Sequence, residues 1–390
     1  MALLFWAQSV LGAQMPLHFI LGGLSGALLA DNPALATLPI SMTVLGSMLA
    51  APLMAALMQR HGRRTGFLVA ALAGALGAAV AAEAIVARNF ELFCAGSLLT
   101  GVYMSGHNFY RFAAADLASP AFRPKAISWV MAGGLLSAIL GPQMVVWFKD
   151  WLEPVPYAGA YRFAILLNLC GALPLLLLDI PRPARRKTGE ARRGRPWREI
   201  LSERRIVVAM LCAMISYALM NLVMTSTPLA MIACGFVTDE AASVVQVHVL
   251  AMFGPSFITG SLIARVGAPR VIALGLALLT AAALVALAGI ELVHFYISLA
   301  LLGFGWNFGF IGATAMLAES YRPEERERVQ GLNDFLVMGL VTVASFSSGA
   351  LLAGIGWEAV NLAMLPALAL AAGALIWLAL REGAGRPASS

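Results

Sequence analysis

Charge is what this chain has least of. Only 12% of its 390 residues are Asp, Glu, Lys or Arg, against 60% hydrophobic. Mean hydropathy is +0.83. A soluble domain of this size cannot hide so much apolar surface behind so few charges. Cys94, Cys170, Cys212 and Cys234 are scattered, with no spacing that suits a metal or a disulfide framework. They read as small buried hydrophobes, and neither metal nor cofactor is expected. Five dispersed histidines supply no convergent Ser/His/Asp or metal cluster, so the chain does not read as an enzyme. It also lacks a nucleotide-binding loop, which excludes ATP-driven pumping within this chain.

What is present is long apolar runs. About 20 such residues cross the roughly 30 Å hydrocarbon layer as a helix. Twelve runs are read near 2–29, 35–58, 67–87, 90–115, 126–148, 161–179, 206–231, 242–265, 270–289, 293–318, 329–354 and 357–380. They are Ala/Leu/Val/Gly-rich and lack the alternation of a barrel strand, which predicts an all-α polytopic membrane protein. The first run lacks the positive flank of a signal peptide and is too long for one, so it reads as span 1.

The net charge of +6 is not a nucleic-acid signature, because the basic residues alternate from loop to loop. One side carries Arg60, Arg63, Arg64, Arg123, Lys125, ten Lys/Arg between Arg182 and Arg205, Arg265, Arg270, Arg322, Arg326, Arg328, Arg381 and Arg386. The other side carries only Arg88, Lys149 and Arg162, and Arg111 lies within a span. The positive-inside rule makes the rich side cytoplasmic and puts both termini there. The expected place is a bacterial inner (cytoplasmic) membrane. The expected organisation is six spans in 1–180, a basic linker 181–205, six spans in 206–381 and a tail 382–390. Trp197 and Ile200-Leu201 suggest a short interfacial helix in the linker.

The halves repeat. Gln59-Arg60-His61-Gly62-Arg63-Arg64 and Ala264-Arg265-Val266-Gly267-Ala268-Pro269-Arg270 lie 205 positions apart and align residue for residue. Asp116 and Glu319 end spans 4 and 10, and Lys125 matches Arg328 at a similar offset. Gly62 and Gly267 suit a tight turn with positive φ. The arginines suit the negative cytoplasmic surface. A parallel repeat of two six-helix halves is a transporter architecture.

On these residues the chain resembles the major facilitator superfamily. That family's loop signature, Gly-x-x-x-Asp-Arg-x-Gly-Arg-Arg, is matched by Arg60, Gly62, Arg63 and Arg64, while Ala55 and Gln59 depart from it. The second copy keeps Gly260, Arg265, Gly267 and Arg270. The resemblance implies a secondary active transporter of a small organic solute, working by alternating access as a monomer, with protons as the coupling partner. It also implies a gating latch. Here Asp116 is the expected partner of Arg60 and Arg64, and Glu319 of Arg265 and Arg270. With Gln59 in the acidic position, the first latch is expected to be weaker or to rely on Asp116. A transport-inactive sensor or assembly factor on the same scaffold is the alternative.

Polar residues in hydrocarbon are costly and mark function. They concentrate in spans 1, 4, 7 and 10, which line the central cavity in the family this chain resembles. Candidate substrate-binding residues are Gln14, His18, His107, Asn108, Arg111, Asn221, Trp306 and Asn307. Gln14 and His18, and His107 and Arg111, are spaced i,i+4 and share a helix face. Arg111 suits either a clamp on an anionic or carbonyl-bearing cargo or a structural pair. Asp334 suits either proton coupling or a satisfied pair, with His107 as the rival proton carrier. The place where the family often carries an arginine in span 4 holds Ser97. Gly133-Gly134, Gly141-Pro142 and Gly254-Pro255 read as bends or as sites of close packing. The chain also resembles bacterial facilitator carriers assigned to riboflavin uptake, in Gly305-Trp306-Asn307-Phe308 and Gln330-Gly331-Leu332-Asn333-Asp334. That likeness, with Tyr103, Tyr110, Tyr217 and Phe308 near the inferred cavity, implies a flat aromatic cargo such as riboflavin.

Overall fold

The computed structural model describes residues 1–32, 35, 38–180 and 194–384. Most of the expected linker and tail lies outside these residues. Every regular element among them is helical: α1 Ala2–Val10, α2 Gln14–Leu29, α3 Leu38–His61, α4 Arg63–Val86, α5 Phe90–Asn108, α6 Tyr110–Leu117, α7 Arg123–Phe148, α8 Ala158–Ala172, α9 Trp197–Ile200, α10 Arg204–Ala233, α11 Thr238–Phe253, α12 Ser256–Val266, α13 Ala268–Ala288, α14 Leu292–Ser320, α15 Arg326–Gly354, α16 Trp357–Leu362 and α17 Met364–Ala384. Ten helical stretches among the described residues are long and apolar enough to cross a membrane. The other two expected spans, 2–29 and 90–115, are helical but interrupted. A 3-10 turn at Leu11–Ala13 separates α1 from α2, and Phe109 separates α5 from α6. These two interrupted stretches are also among the richest in polar side chains.

The chain forms two compact units. One holds the described residues of Met1–Ser119, Trp129–Arg192 and Arg326–Thr342; the other holds those of Pro120–Ser128, Arg193–Glu325 and Val343–Ser390. In the first unit, α4 packs on α3, α5 and α8, and in the second α14 packs on α10, α11 and α13. Small residues set these spacings, as expected where lipid gives no hydrophobic drive and helices associate by van der Waals fit. A Cβ on Gly77 would stand 2.8 Å from Gly96 O, and one on Gly275 2.9 Å from Gly305 O.

The repeated basic loop is a one-residue turn in both copies. Gly62, with φ 90°, sits between α3 and α4, and its N–H bonds to Met58 O at 2.9 Å. Gly267, with φ 88°, sits between α12 and α13, and its N–H bonds to Ile263 O at 2.9 Å. A side chain at either position would be forced into a disfavoured backbone conformation. The turn makes Arg63 the first residue of α4.

Of the expected bends, α7 runs unbroken through Gly141, so that pair does not end a helix. Gly141 instead admits close packing, since its Cβ would lie 2.7 Å from Pro16 Cβ and 2.8 Å from Ala13 O. Gly254-Pro255 does break the helix, separating α11 from α12. Proline has no N–H and frees carbonyls one turn earlier. Asn307 meets the freed groups from α14: its Nδ2 donates to Met252 O at 2.6 Å and Ser256 Oγ at 2.7 Å. Its Oδ1 accepts from Thr259 Oγ1 at 2.6 Å. A second device braces α12, where Ser128 Oγ of α7 donates to Ser256 O and accepts from Gly260 N at 2.9 Å. A side chain thus stands across one rung of the α12 ladder, a recognised cause of helix bending.

Asn307→Ala takes the side-chain partner from Met252 O and Ser256 Oγ, while Thr259 Oγ1 keeps its bond to Pro255 O at 2.8 Å. We expect it to destabilise the protein by about 1–3 kcal/mol, read as a lower melting temperature in detergent. An unchanged melting temperature would contradict this role.

Candidate functional site

The densest buried polar feature of the first unit is a stripe on α15. Arg326, Gln330 and Asp334 recur every four residues and therefore share one helical face. Each meets a partner from the α4 to α6 region. Asp116, near the end of α6, is shared by Arg63 at 2.8 Å and Arg326 at 3.4 Å. Arg63 Nη2 also donates to Gln330 Oε1 at 2.5 Å. One helical turn further on, Arg111 Nη2 donates to Asp334 Oδ1 at 2.5 Å, and Asn333 Nδ2 donates to the same oxygen at 3.0 Å. Glu327 closes the outer end, accepting from Arg326 Nε at 3.0 Å.

The helix break at Phe109 helps build this ladder. Arg63 Cζ lies 5.5 Å from the Phe109 ring centroid, and Arg111 Cζ lies 4.5 Å from that of Phe112. Aromatic faces in a dry setting favour cations. Three cations (Arg63, Arg111, Arg326) balance three anions (Asp116, Glu327, Asp334). Arg63 is 2% exposed and Asp334 1%. Buried charge is tolerated only in such paired form. Asp334 Oδ2 is nevertheless buried without a hydrogen-bond partner.

The sequence expectation named the wrong arginines for Asp116. Arg60 lies in the last turn of α3 and Arg64 follows Arg63 on the outer face of α4; both are exposed, and Arg64 donates to Leu176 O at 3.2 Å. The Gly62 turn rotates Arg63 inward instead. In the second copy Arg265 and Arg270 are exposed, and Arg270 bonds to Val266 O within its own turn. Glu319 lies 3.9 Å from Arg205 rather than beside either of them. The strongest acid–base contact of that unit is one the sequence gave no sign of. Glu325, fully buried, accepts from Arg195 Nε at 2.9 Å, Nη2 at 2.8 Å and its backbone N–H at 3.0 Å. This bidentate bond holds the Arg195 guanidinium above its usual pKa range. The departures from the loop signature also have a structural counterpart. Gln59 is exposed, and the carboxylate facing the buried arginine comes from Asp116. Ala55 faces Gly331 of α15, whose Cβ would stand 2.6 Å from Ala55 Cβ. The methyl group that Ala55 adds is accommodated by the one Gly331 lacks.

The remaining expected site residues divide by how well they are satisfied. His18 is a packed residue: Thr43 Oγ1 lies 2.7 Å from its Nε2 and Tyr161 Oη 3.3 Å from its Nδ1. Asn307 is the staple of the α11/α12 break. Gln14 donates to Gly74 O at 3.2 Å but leaves Oε1 without a partner. The His107 ring lies between those of Tyr103 and Tyr110, at 5.9 and 5.2 Å, with Nε2 unbonded. Asn108 Nδ2, Asn221 Nδ2 and Trp306 Nε1 are likewise buried without hydrogen-bond partners. Unsatisfied buried polar atoms are rare in native proteins and point to binding or movement. Arg326 and Gln330 were missed as partners, although their signal, polar residues every fourth position along α15, was present, and Arg63 was read only as part of the loop signature.

Long apolar helices, a duplicated glycine turn and buried polar side chains at mid-helix describe a multi-pass membrane transporter, and comparison with known proteins agrees. The family model of the Major Facilitator Superfamily matches residues 1–290 and 209–390, and the chain belongs to that superfamily. It is 42% identical to the riboflavin transporter RfnT of Brucella anthropi, over 98% of this chain and 96% of that protein. Among solved structures it is similar to the human organic anion transporter MFSD10, with a TM-score of 0.77 at 17% identity, covering 96% and 98% of the two chains. It is similar as well to the E. coli fucose:proton symporter FucP, with a TM-score of 0.74 at 15% identity, covering 96% and 97%.

Arg63→Ala removes one partner from a buried network and is expected to cost about 3–5 kcal/mol of stability. Arg60→Ala, at an exposed site, is expected to change stability by about 0.5 kcal/mol or less. Thermal unfolding of the two variants side by side checks this, and equal effects would contradict it.

Proposed function

We propose that this transporter carries riboflavin across a bacterial inner membrane by alternating access, with both termini cytoplasmic. It works as two six-helix bundles, residues 1–180 and 206–381, joined by the basic linker 181–205. The observation that carries the cargo is the 42% identity, over nearly the whole chain, to a protein named as a riboflavin transporter.

The proposed coupling runs through Asp334. Ionised, it neutralises Arg111 inside the ladder. Protonated, it leaves a net charge of +1 in a dry environment, and the Arg111 contact loses its counter-charge. Breaking a buried pair costs about 3–5 kcal/mol, enough to shift a two-state equilibrium by roughly two to four orders of magnitude. Protonation therefore favours the state in which α15 has left Arg111. The unpartnered Oδ2 gives the proton a place to bind. The ladder as a whole, with Arg63 and Asp116 at its cytoplasmic end, is the gate of this mechanism. Gly62 and Gly267 shape the turns, while Arg60, Arg64, Arg265 and Arg270 anchor them to the headgroups.

Uptake of labelled riboflavin into proteoliposomes tests the reading. Wild type is expected to accumulate riboflavin faster with an acid-outside gradient. Asp334→Asn is expected to lose the gradient-driven component while retaining counterflow exchange. Gradient-driven uptake that survives Asp334→Asn would remove Asp334 as the proton carrier. Absence of riboflavin movement under every gradient would overturn the cargo.

A further inference from the structure

In the second unit, three aromatic rings from three helices surround one indole. Trp306 of α14 lies nearly parallel to Phe310, one turn on, at 5.3 Å and 17°. The edges of Tyr217 of α10 and Phe253 of α11 approach it at 5.6 and 5.8 Å. Trp306 is 2% exposed, whereas Tyr217 and Phe253 are half-buried, so they form the accessible rim. A packing cluster would account for this much.

The polar atoms call for more. Trp306 Nε1 is a donor only, and it is buried with no acceptor. Asn221 follows Tyr217 by four residues on the same face of α10. It is 2% exposed, and its Nδ2 also finds no acceptor. Asn307, by contrast, one residue along α14, has every polar atom bonded. Two unsatisfied donors on facing helices, next to half-exposed rings, are a costly arrangement in a membrane interior, where no bulk water relieves them. A ligand that carries acceptors on the edge of a flat ring satisfies all of these groups together.

We propose that Trp306 Nε1 and Asn221 Nδ2 are the ring-edge donors of a binding site for a flat heteroaromatic solute, with Tyr217 and Phe253 flanking the ring. Phe310 braces the indole so that its N–H stays fixed. The acceptors these donors recognise are ring carbonyl oxygens and imine nitrogens, the kind an isoalloxazine ring presents. The proposal rests on the riboflavin reading above and adds to it which part of the molecule is held, and by which atoms.

The test is equilibrium binding to the purified full-length protein, read by quenching of flavin fluorescence. Two probes are used: riboflavin, and lumiflavin, which keeps the ring but lacks the ribityl chain. Trp306→Phe keeps an aromatic ring and deletes the N–H. Asn221→Asp keeps the shape and replaces the donor with an acceptor. Each is expected to weaken both probes about tenfold, and by the same factor, while Tyr296→Phe, which alters a contact with Ser243 away from these rings, leaves binding unchanged. Wild-type binding of both probes that neither variant alters would overturn the donor site and leave the cargo standing. Loss for riboflavin but not for lumiflavin would assign the donors to the ribityl chain and overturn the ring-edge contact. Failure of wild type to bind either probe would overturn the cargo reading and this site with it. The two variants lie on different helices, so misfolding of one leaves the other as the test.

Discussion

The buried pairing of Arg111 with Asp334 constrains the first unit more than any other contact. Two charges in a dry interior must stay together or be neutralised, and nothing between those outcomes is cheap. This makes α15 a helix with one strongly preferred register against α4 and α6. The other members of the stripe follow from it. Once Asp334 meets Arg111, helical periodicity brings Gln330 to Arg63 and Arg326 to Asp116. Asp116 in turn holds two arginines, beside a loop that has Gln59 in place of a carboxylate of its own.

The same register accounts for apolar detail. Ala55 and Gly331 face one another at a spacing that leaves room for a single methyl group. In the second unit the comparable constraint is the proline break at Gly254-Pro255, where Asn307 bonds Met252 O and Ser256 Oγ beside the break and Ser128 stands across the first rung of α12. In both places the scaffold uses fixed polar contacts to hold irregular backbone at membrane depth, which lipid does not tolerate unaided. His18 and Asn307 find their hydrogen bonds within the protein, whereas Asn221 Nδ2 and Trp306 Nε1 are buried without one.

Much of the fold was legible in the sequence, because hydropathy and glycine carry it. Apolar runs located the helices, and two glycines in matching loops announced the duplicated turn and its positive φ. The sequence left both Gly141-Pro142 and Gly254-Pro255 as bends or sites of close packing, and only the second separates two helices. The interruptions at Leu11–Ala13 and Phe109 were not legible, since no proline or glycine pair marks the second and the first rests on tertiary packing. The site was legible only as a set of residue types. Sequence singled out Arg111, Asp116 and Asp334 but could not tell which arginine of Arg60, Arg63 and Arg64 turns inward; that depends on the Gly62 turn starting α4 at Arg63. Glu325 and Arg195 gave no local signal at all, because 130 residues separate them in the chain.

We propose that the Arg111–Asp334 pair is a working part of transport and does more than hold the fold. Replacing both residues with apolar side chains of similar size, Arg111→Met with Asp334→Leu, separates the two roles, because an apolar substitute for a buried ion pair is often neutral or stabilising. The decisive measurement is riboflavin uptake by this double variant in proteoliposomes, matched for folded protein by its melting temperature. The account predicts a protein that melts at or above the wild-type temperature and transports nothing against a gradient. A double variant that is equally stable and drives uptake at the wild-type rate would contradict it.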